Sequence, residues 1–216
     1  MRIIGSVIAL AAVLGLAAPA SAHEAGDWLV RVGSSLIDPK SDNGTLDVSA
    51  LELGDQQIDV DDKVGVTFTF TYMYTANIGI EVLAALPYKH DIDVGDLGRV
   101  GSVKHLPPTV SLQYHFLPSG TFQPYAGVGL NYTRFFSVDE TGALDDLGVK
   151  LDVDSSSFGA AAQIGFDYMI TDRWFLNVDV RWIDIDTKAK IKEVPEIRGD
   201  VNIDPMVYGI HLGYRF

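Results

Sequence analysis

The last eleven residues of the chain, 206–216, alternate between large apolar side chains at even positions and small or polar ones at odd positions. The apolar set ends on the aromatic residues Tyr214 and Phe216, whereas the other set includes His211 and Arg215. Successive residues of a β-strand point to opposite faces. The pattern therefore predicts a strand with one apolar, aromatic-capped face and one polar face.

Seven earlier runs show the same alternation, and in each of them the even-numbered residues are the apolar set. Short connections near 75–77, 117–121 and 171–173 alternate with long polar ones near 37–63, 90–104, 137–155 and 188–200. An even number of strands, apolar outward faces and alternating short and long connections are typical of outer-membrane barrels. We expect an all-β fold, an eight-stranded antiparallel transmembrane β-barrel with extracellular long loops and periplasmic termini. The eight runs begin at Trp28, Val64, Ile78, Val110, Ala126, Phe158, Trp174 and Met206.

A soluble, lipocalin-like barrel would give the same alternation with the two faces exchanged. The aromatic residues at the strand ends argue against it, because aromatic side chains concentrate at the two interfaces of a bilayer. These residues include Tyr72, Tyr74, Tyr168, Trp174 and Trp182.

Residues 1–22 have the three parts of a secretory signal peptide: Arg2, an apolar run over 3–18 and the small residues 20–22. A membrane-spanning helix needs about 20 apolar residues, so this run is short for one. We expect the leader to be removed, leaving one domain over 23–216 in the outer membrane of a Gram-negative cell. The chain has no cysteine, so its stability must come from a closed sheet rather than from disulfides.

The net charge of −13 argues against a nucleic-acid partner, which would require basic patches. Acidic residues concentrate in the long connections, for example Asp91 and Asp93 or Asp145 and Asp146. Divalent cations could link them to phosphates of the surrounding outer-membrane lipid and lipopolysaccharide, although no calcium-loop spacing occurs; a solvated face is the alternative. We predict no metal site and no cofactor.

Four segments resemble the OmpW family of eight-stranded outer-membrane proteins, which includes the AlkL-type alkane uptake channels. They are 125–136 (YAGVGLNYTRFF), 157–168 (SFGAAAQIGFDY), 174–182 (WFLNVDVRW) and 203–216 (IDPMVYGIHLGYRF). The resemblance covers essentially all of 23–216. It implies a narrow barrel with an apolar interior that moves small hydrophobic molecules across the outer membrane, and it brings no catalytic residues.

The interior of an eight-stranded barrel is just wide enough for side chains or one small ligand. Toward the periplasmic end, the odd positions carry charges that we expect to form a mutually paired ionic plug; purely structural ion pairs are the alternative. Toward the outer end the odd positions are apolar and predict a pocket for a hydrophobic ligand, or else a core that packs on itself. The charged set is Arg31, Glu81, Asp167, Asp179, Arg181 and Arg215, and the apolar set is Leu83, Ala85, Phe135, Ala161, Ile183, Ile185 and Val207.

Prolines flank the connection between the third and fourth runs: Pro87 before it, Pro107 and Pro108 after it. Proline donates no backbone hydrogen bond, so these residues predict a lateral gap in the wall. The alternative is that they only end the two strands. With the apolar upper lumen and the charged floor, the gap favours passive uptake of small apolar solutes that leave sideways through the wall.

Two other classes of function are an enzyme and a barrel that acts through its long loops. The candidate general bases and nucleophiles form no compact catalytic motif, so we expect no enzyme. Long loops on a rigid scaffold suit a surface receptor, for instance for a phage or toxin, or a barrel that maintains the envelope under stress. The candidate bases are His90, His105, His115 and His211, and the candidate nucleophiles include Ser111 and Ser157.

Overall fold

The computed structural model describes residues 23–40, 42–49, 54–140, 150–192 and 197–216. The predicted leader, residues 1–22, lies outside the described residues. Eight long antiparallel strands pair in a closed ring, each with the next and the last with the first. In chain order these barrel strands are β1 (Trp28–Asp38), β4 (Lys63–Met73), β5 (Ile78–Ala85), β8 (Thr109–His115), β9 (Phe122–Glu140), β11 (Ser156–Met169), β12 (Trp174–Ile183) and β15 (Met206–Arg215). The predicted eight-stranded antiparallel barrel is confirmed.

Every pairing of the ring joins residues of equal parity, as in Val30 with Tyr214 between β1 and β15 or Ile164 with Val180 between β11 and β12. All even-numbered barrel residues therefore share one face. Among the described residues, every exposed large hydrophobic side chain except Leu117 has an even number. The outer surface is consequently a continuous apolar belt, and the odd-numbered side chains fill the lumen.

The long connections contain seven further strands, which the sequence analysis assigned to loops. They extend the wall beyond the apolar belt, and no described residue in them is an exposed large hydrophobic one. They are β2 (Thr45–Asp47), β3 (Asp55–Val60), β6 (Tyr88–Val94), β7 (Gly98–Leu106), β10 (Leu151–Val153), β13 (Asp186–Ile191) and β14 (Arg198–Asn202). We call this part the extension.

The strands of the extension are not predicted from the sequence, because their inward positions do not keep the parity of the barrel strands. In β6 the buried residues are the even-numbered Tyr88, His90 and Val94. A register shift at Ile92 and Asp93 breaks the alternation again in the hairpin with β7. Polar inward residues and shifted registers hide a strand from a period-two pattern.

Buried apolar side chains gather at both ends of the molecule. A large cluster fills the extension and the adjoining end of the barrel, and a small one closes the end with the short turns. Over the described residues, no helix combines the length and apolarity needed to cross a membrane.

Candidate functional site

Five charged side chains form one buried network across the lower lumen. Arg31 donates from Nε and Nη2 to the two carboxylate oxygens of Asp167, at 3.1 and 2.7 Å, and lies 3.5 Å from Glu81. Arg181 contacts Glu81 and Asp179, each at 2.6 Å. We call these five residues the lumen network. Charges of both signs alternate in it, so each buried ion has an oppositely charged neighbour.

Polar neighbours complete the hydrogen bonding of the lumen network. Asn177 donates to Asp167 at 2.8 Å, Gln163 donates to Glu81 at 3.2 Å, and Thr71 accepts from Arg31 at 2.8 Å. Arg215, the sixth residue of the predicted plug, lies apart at the rim, where it donates to the carbonyl of Asp172 at 2.6 Å.

Beneath the network, at the short-turn end, four apolar side chains pack together: Leu29, Met73, Met169 and Phe175. The Arg31 guanidinium lies 5.4 Å above the centre of the Phe175 ring, within the range of a cation–π contact. This apolar base is not predicted from the sequence, because each of its residues is an isolated apolar group at an odd position near a strand end. The base and the lumen network together form a dry floor.

The seven residues predicted to line an apolar pocket all lie on the inner side above the network. Six are buried and Ala85 is half-buried. All except Leu83 belong to or pack against the upper apolar cluster. Their binding of a ligand stays a prediction.

The apolar cavity itself lies farther from the short turns, within the extension, and we call it the upper chamber. Its volume is about 40 Å³, and a water molecule requires roughly 10–15 Å³ by this measure. Of the predicted pocket residues, only Phe135 lines it. The rest of the lining includes Leu46, Ile58, Val94, Val100, Leu151, Ile191 and Val201 from strands of the extension, and Ile203, which follows β14.

Two histidines and Thr187 are the polar side chains that line the upper chamber. The rings of His90 and His105 stack with centroids 4.9 Å apart, and Tyr88 adjoins them. Burial lowers the pKa of His105 to about 3, with the neighbouring His90 lowering it further, and burial raises the pKa of Tyr88 to about 12. Burial also lowers the pKa of His90. The three side chains are therefore uncharged at neutral pH, and the chamber presents no ionised group of theirs to a solute.

The three prolines adjoin an interruption in the wall. Pairing between β5 and β8 ends at Leu83 with Thr109 and resumes between β6 and β7 at Tyr88 with His105. No ladder pair joins the described residues 84–87 to 106–108; we call this the ladder break. Each edge bonds to the strand behind it instead: Leu86 donates to Val66, and Pro108 accepts from Tyr132.

His211 and Asp91, two of the remaining candidates, have ordinary structural partners. His211 bonds Thr67 at 2.8 Å and Asn177 at 3.1 Å. Asp91 pairs with Lys63 and Arg99 at 3.3 and 3.2 Å. Asp145 and Asp146 lie outside the described residues, so cation bridging and receptor binding at the long connections stay predictions.

Comparison with known proteins decides the family. The sequence model described as "OmpW family" matches residues 24–216. The chain belongs to the OmpW family. This OmpW-family barrel is 41% identical over 209 residues to outer membrane protein W of Vibrio cholerae, covering 92% of this chain and 93% of that protein. It is 27% identical over 205 residues to outer membrane protein AlkL of Ectopseudomonas oleovorans, covering 92% and 86%.

The crystal structure of OprG from Pseudomonas aeruginosa matches this OmpW-family barrel with a TM-score of 0.80 and 37% identity, covering 90% of this chain and 98% of that one. These relatives are outer-membrane barrels and not enzymes. The apolar belt therefore faces outer-membrane lipid, and the soluble-barrel alternative is wrong.

Proposed function

We propose that this OmpW-family barrel admits small, slender apolar molecules to the upper chamber and releases them sideways through the ladder break into the membrane. One residue carries the proposal. His105 lines the upper chamber and, paired with Tyr88, also forms the upper edge of the break. A solute that leaves the chamber at His105 meets the interrupted part of the wall first.

The floor favours a sideways exit over a straight one. An apolar solute moving down the lumen would have to separate buried ion pairs such as Arg181 with Glu81. Breaking a buried pair costs about 3–5 kcal/mol. The ladder break needs no such step, because its edges already bond to the strands behind them.

The chamber favours apolar over polar solutes and linear over bulky ones. Its lining is almost wholly aliphatic or aromatic, with neutral His90 and His105 and the Thr187 hydroxyl as the polar exceptions. Its small volume suits a narrow chain, and a wider molecule would have to displace side chains. The resemblance to the AlkL-type alkane channels supports the same class of solute.

A reversible covalent bridge across the break tests the exit. The chain lacks cysteine, so Ala85→Cys with Pro107→Cys introduces the only pair of thiols. Continuing the β5–β8 register past Leu83 and Thr109 puts these positions opposite each other. Cells producing this variant are given n-octane, and uptake is followed by gas chromatography. We expect oxidation to abolish the barrel-dependent uptake and a reductant to restore it.

The matched control is Val82→Cys with Val110→Cys, a directly paired and outward-facing position below the break. It should leave uptake unchanged in either redox state. A second variant, Phe135→Asp, introduces a charge into the chamber wall and should lower uptake, whereas Phe135→Leu should not. Equal uptake by the oxidised and reduced 85–107 pair, or by Phe135→Asp and the unaltered barrel, would overturn the proposal.

A further inference from the structure

Three side chains with metal-binding atoms meet at the short-turn end of the lumen. His23 precedes β1, His115 ends β8 and Asp167 lies near the end of β11. One ligand atom of each lies within 4.8 Å of those of the other two. All three residues are buried, His23 and His115 at 1% and 0% exposure. Three separate segments of the chain thus converge on one enclosed point.

The ring nitrogens at this point lack protein partners. His115 Nε2 lies 3.2 Å from Gln113 Oε1. An amide oxygen only accepts, so Nε2 carries the hydrogen and Nδ1 keeps its lone pair. Neither His115 Nδ1 nor either ring nitrogen of His23 has a hydrogen-bond partner among the described residues. Buried nitrogens without partners are unfavourable unless something binds them.

The local charge favours a cation. The lumen network contains the carboxylates of Glu81, Asp167 and Asp179 but only the guanidinium groups of Arg31 and Arg181. It therefore carries one excess negative charge. His23 Nε2 lies 3.9 Å from an Asp167 oxygen, which also accepts from Arg31 at 2.7 Å. A metal ion here would share Asp167 with Arg31.

We propose that His23, His115 and Asp167 bind a divalent first-row transition metal ion. Two imidazole nitrogens and one carboxylate oxygen form a donor set typical of Zn²⁺, with water as a fourth ligand, whereas Ca²⁺ and Mg²⁺ prefer oxygen alone. Gln113 accepts the outer N–H of His115, as the partners of metal-bound histidines usually do. The ion would fasten the segment before β1 to β8 and β11.

The test uses tag-free, exported protein, because cleavage before His23, predicted from the sequence, makes His23 its first residue. Zn²⁺ binding is measured by competition with a chromophoric chelator, and retained metal by mass spectrometry. We expect about one Zn²⁺ per barrel, lost in His115→Leu and in His23→Ala. Gln113→Leu should weaken binding about 10- to 100-fold by freeing the ring of His115, while Gln113→Glu should preserve it.

His211→Gln is the matched control, since both ring nitrogens of that lumen histidine already have protein partners. The affinity of this variant for Zn²⁺ should equal that of the unaltered barrel. Asp167 is left intact because it also pairs with Arg31. Should a histidine variant not fold, Co²⁺ absorption of the unaltered barrel gives a direct answer: a tetrahedral spectrum supports the site. Stoichiometric binding that survives both histidine substitutions, or an unaltered barrel that binds neither ion, would overturn the proposal.

Discussion

Arg181→Met should destabilise the barrel more than any loss of a surface ion pair. Arg181 contacts Glu81 and Asp179, each at 2.6 Å, and all three residues are buried. Methionine keeps an unbranched apolar stem of similar length but removes the guanidinium. Among the described residues, Glu81 then retains one ion pair, with Arg31 at 3.5 Å. The ion-pair contact left to Asp179 is the His211 ring at 3.9 Å, which is charged only when protonated.

Removing one member of a buried ion pair costs about 3–5 kcal/mol, because the other charge stays buried without compensation. We therefore expect the free energy of unfolding to fall by about 3–5 kcal/mol in Arg181→Met. Adding Glu81→Gln removes one of the orphaned charges. The double variant should lose less than the sum of the single losses, with a coupling of roughly 0.5–3 kcal/mol.

Urea unfolding of the barrel in phospholipid vesicles, followed by tryptophan fluorescence, measures these differences. The control is Lys89→Met, which breaks an exposed pair with Asp139 at 3.1 Å and should cost only about 0–1 kcal/mol. A loss in Arg181→Met no larger than in this control, together with additive single and double variants, would refute the reasoning. The lumen network would then be well hydrated rather than a dry floor.

Three further predictions concern the wall, the extension and the lipid face. Replacing Pro107 and Pro108 by alanine restores two backbone donors beside the ladder break, and each bond that forms should add about 0.5–1.5 kcal/mol while octane uptake falls. In the unfolded chain His105 takes up a proton below its ordinary pKa of 6.5, whereas in the folded chain it does so only near a pKa of about 3. As the pH falls from 6.5 to 3, the free energy of unfolding should therefore decrease by up to about 1.4 kcal/mol per pH unit. This decrease should be smaller in His105→Phe. Ile164→Arg places a charge near the middle of the apolar belt, where Ile164 is 65% exposed, and should cost about 2–4 kcal/mol in vesicle unfolding.

Each of these three predictions has a control variant or a control series. The proline variant is compared with Pro205→Ala, away from the break, which should leave uptake unchanged. The pH series is run on both His105 forms, and parallel curves would contradict the assignment. Ile170→Arg, at the short-turn edge of the belt, should cost only about 0–1 kcal/mol; a loss equal to that of Ile164→Arg would mean that the belt is placed wrongly along the barrel.

Parity explains how much of the fold the sequence could predict. In the eight barrel strands every paired residue shares the parity of its partner, as Val82 does with Val110. One rule, even outward and odd inward, therefore identified each strand and each face. It also selected Arg31, Glu81, Asp167, Asp179 and Arg181 as lumen residues, because charges at odd positions stand out among glycine and threonine.

The upper chamber could not be predicted in the same way. Its walls belong to short strands whose inward residues are even-numbered in β6, as in His90, and odd-numbered in β13, as in Ala189. Such strands pair with partners far along the chain, for example Ile58 of β3 with Val94 of β6. Periodicity describes one strand and contains no information about such partners, so of the residues that line the upper chamber the sequence singled out only Phe135 for an apolar pocket.

The position of the ladder break within the ring has a consequence for assembly. The ring is completed where β1 meets β15, the contact between the two chain ends, over ten residue pairs. The interrupted wall lies between β5 and β8, three strand interfaces away around the ring. Closing strands of such large sequence separation is the slow, entropically demanding step of β-folding. Because β1 and β15 pair without interruption, sequence changes at the ladder break leave this seam unaltered, and the wall between β5 and β8 can vary independently of the contact that closes the barrel.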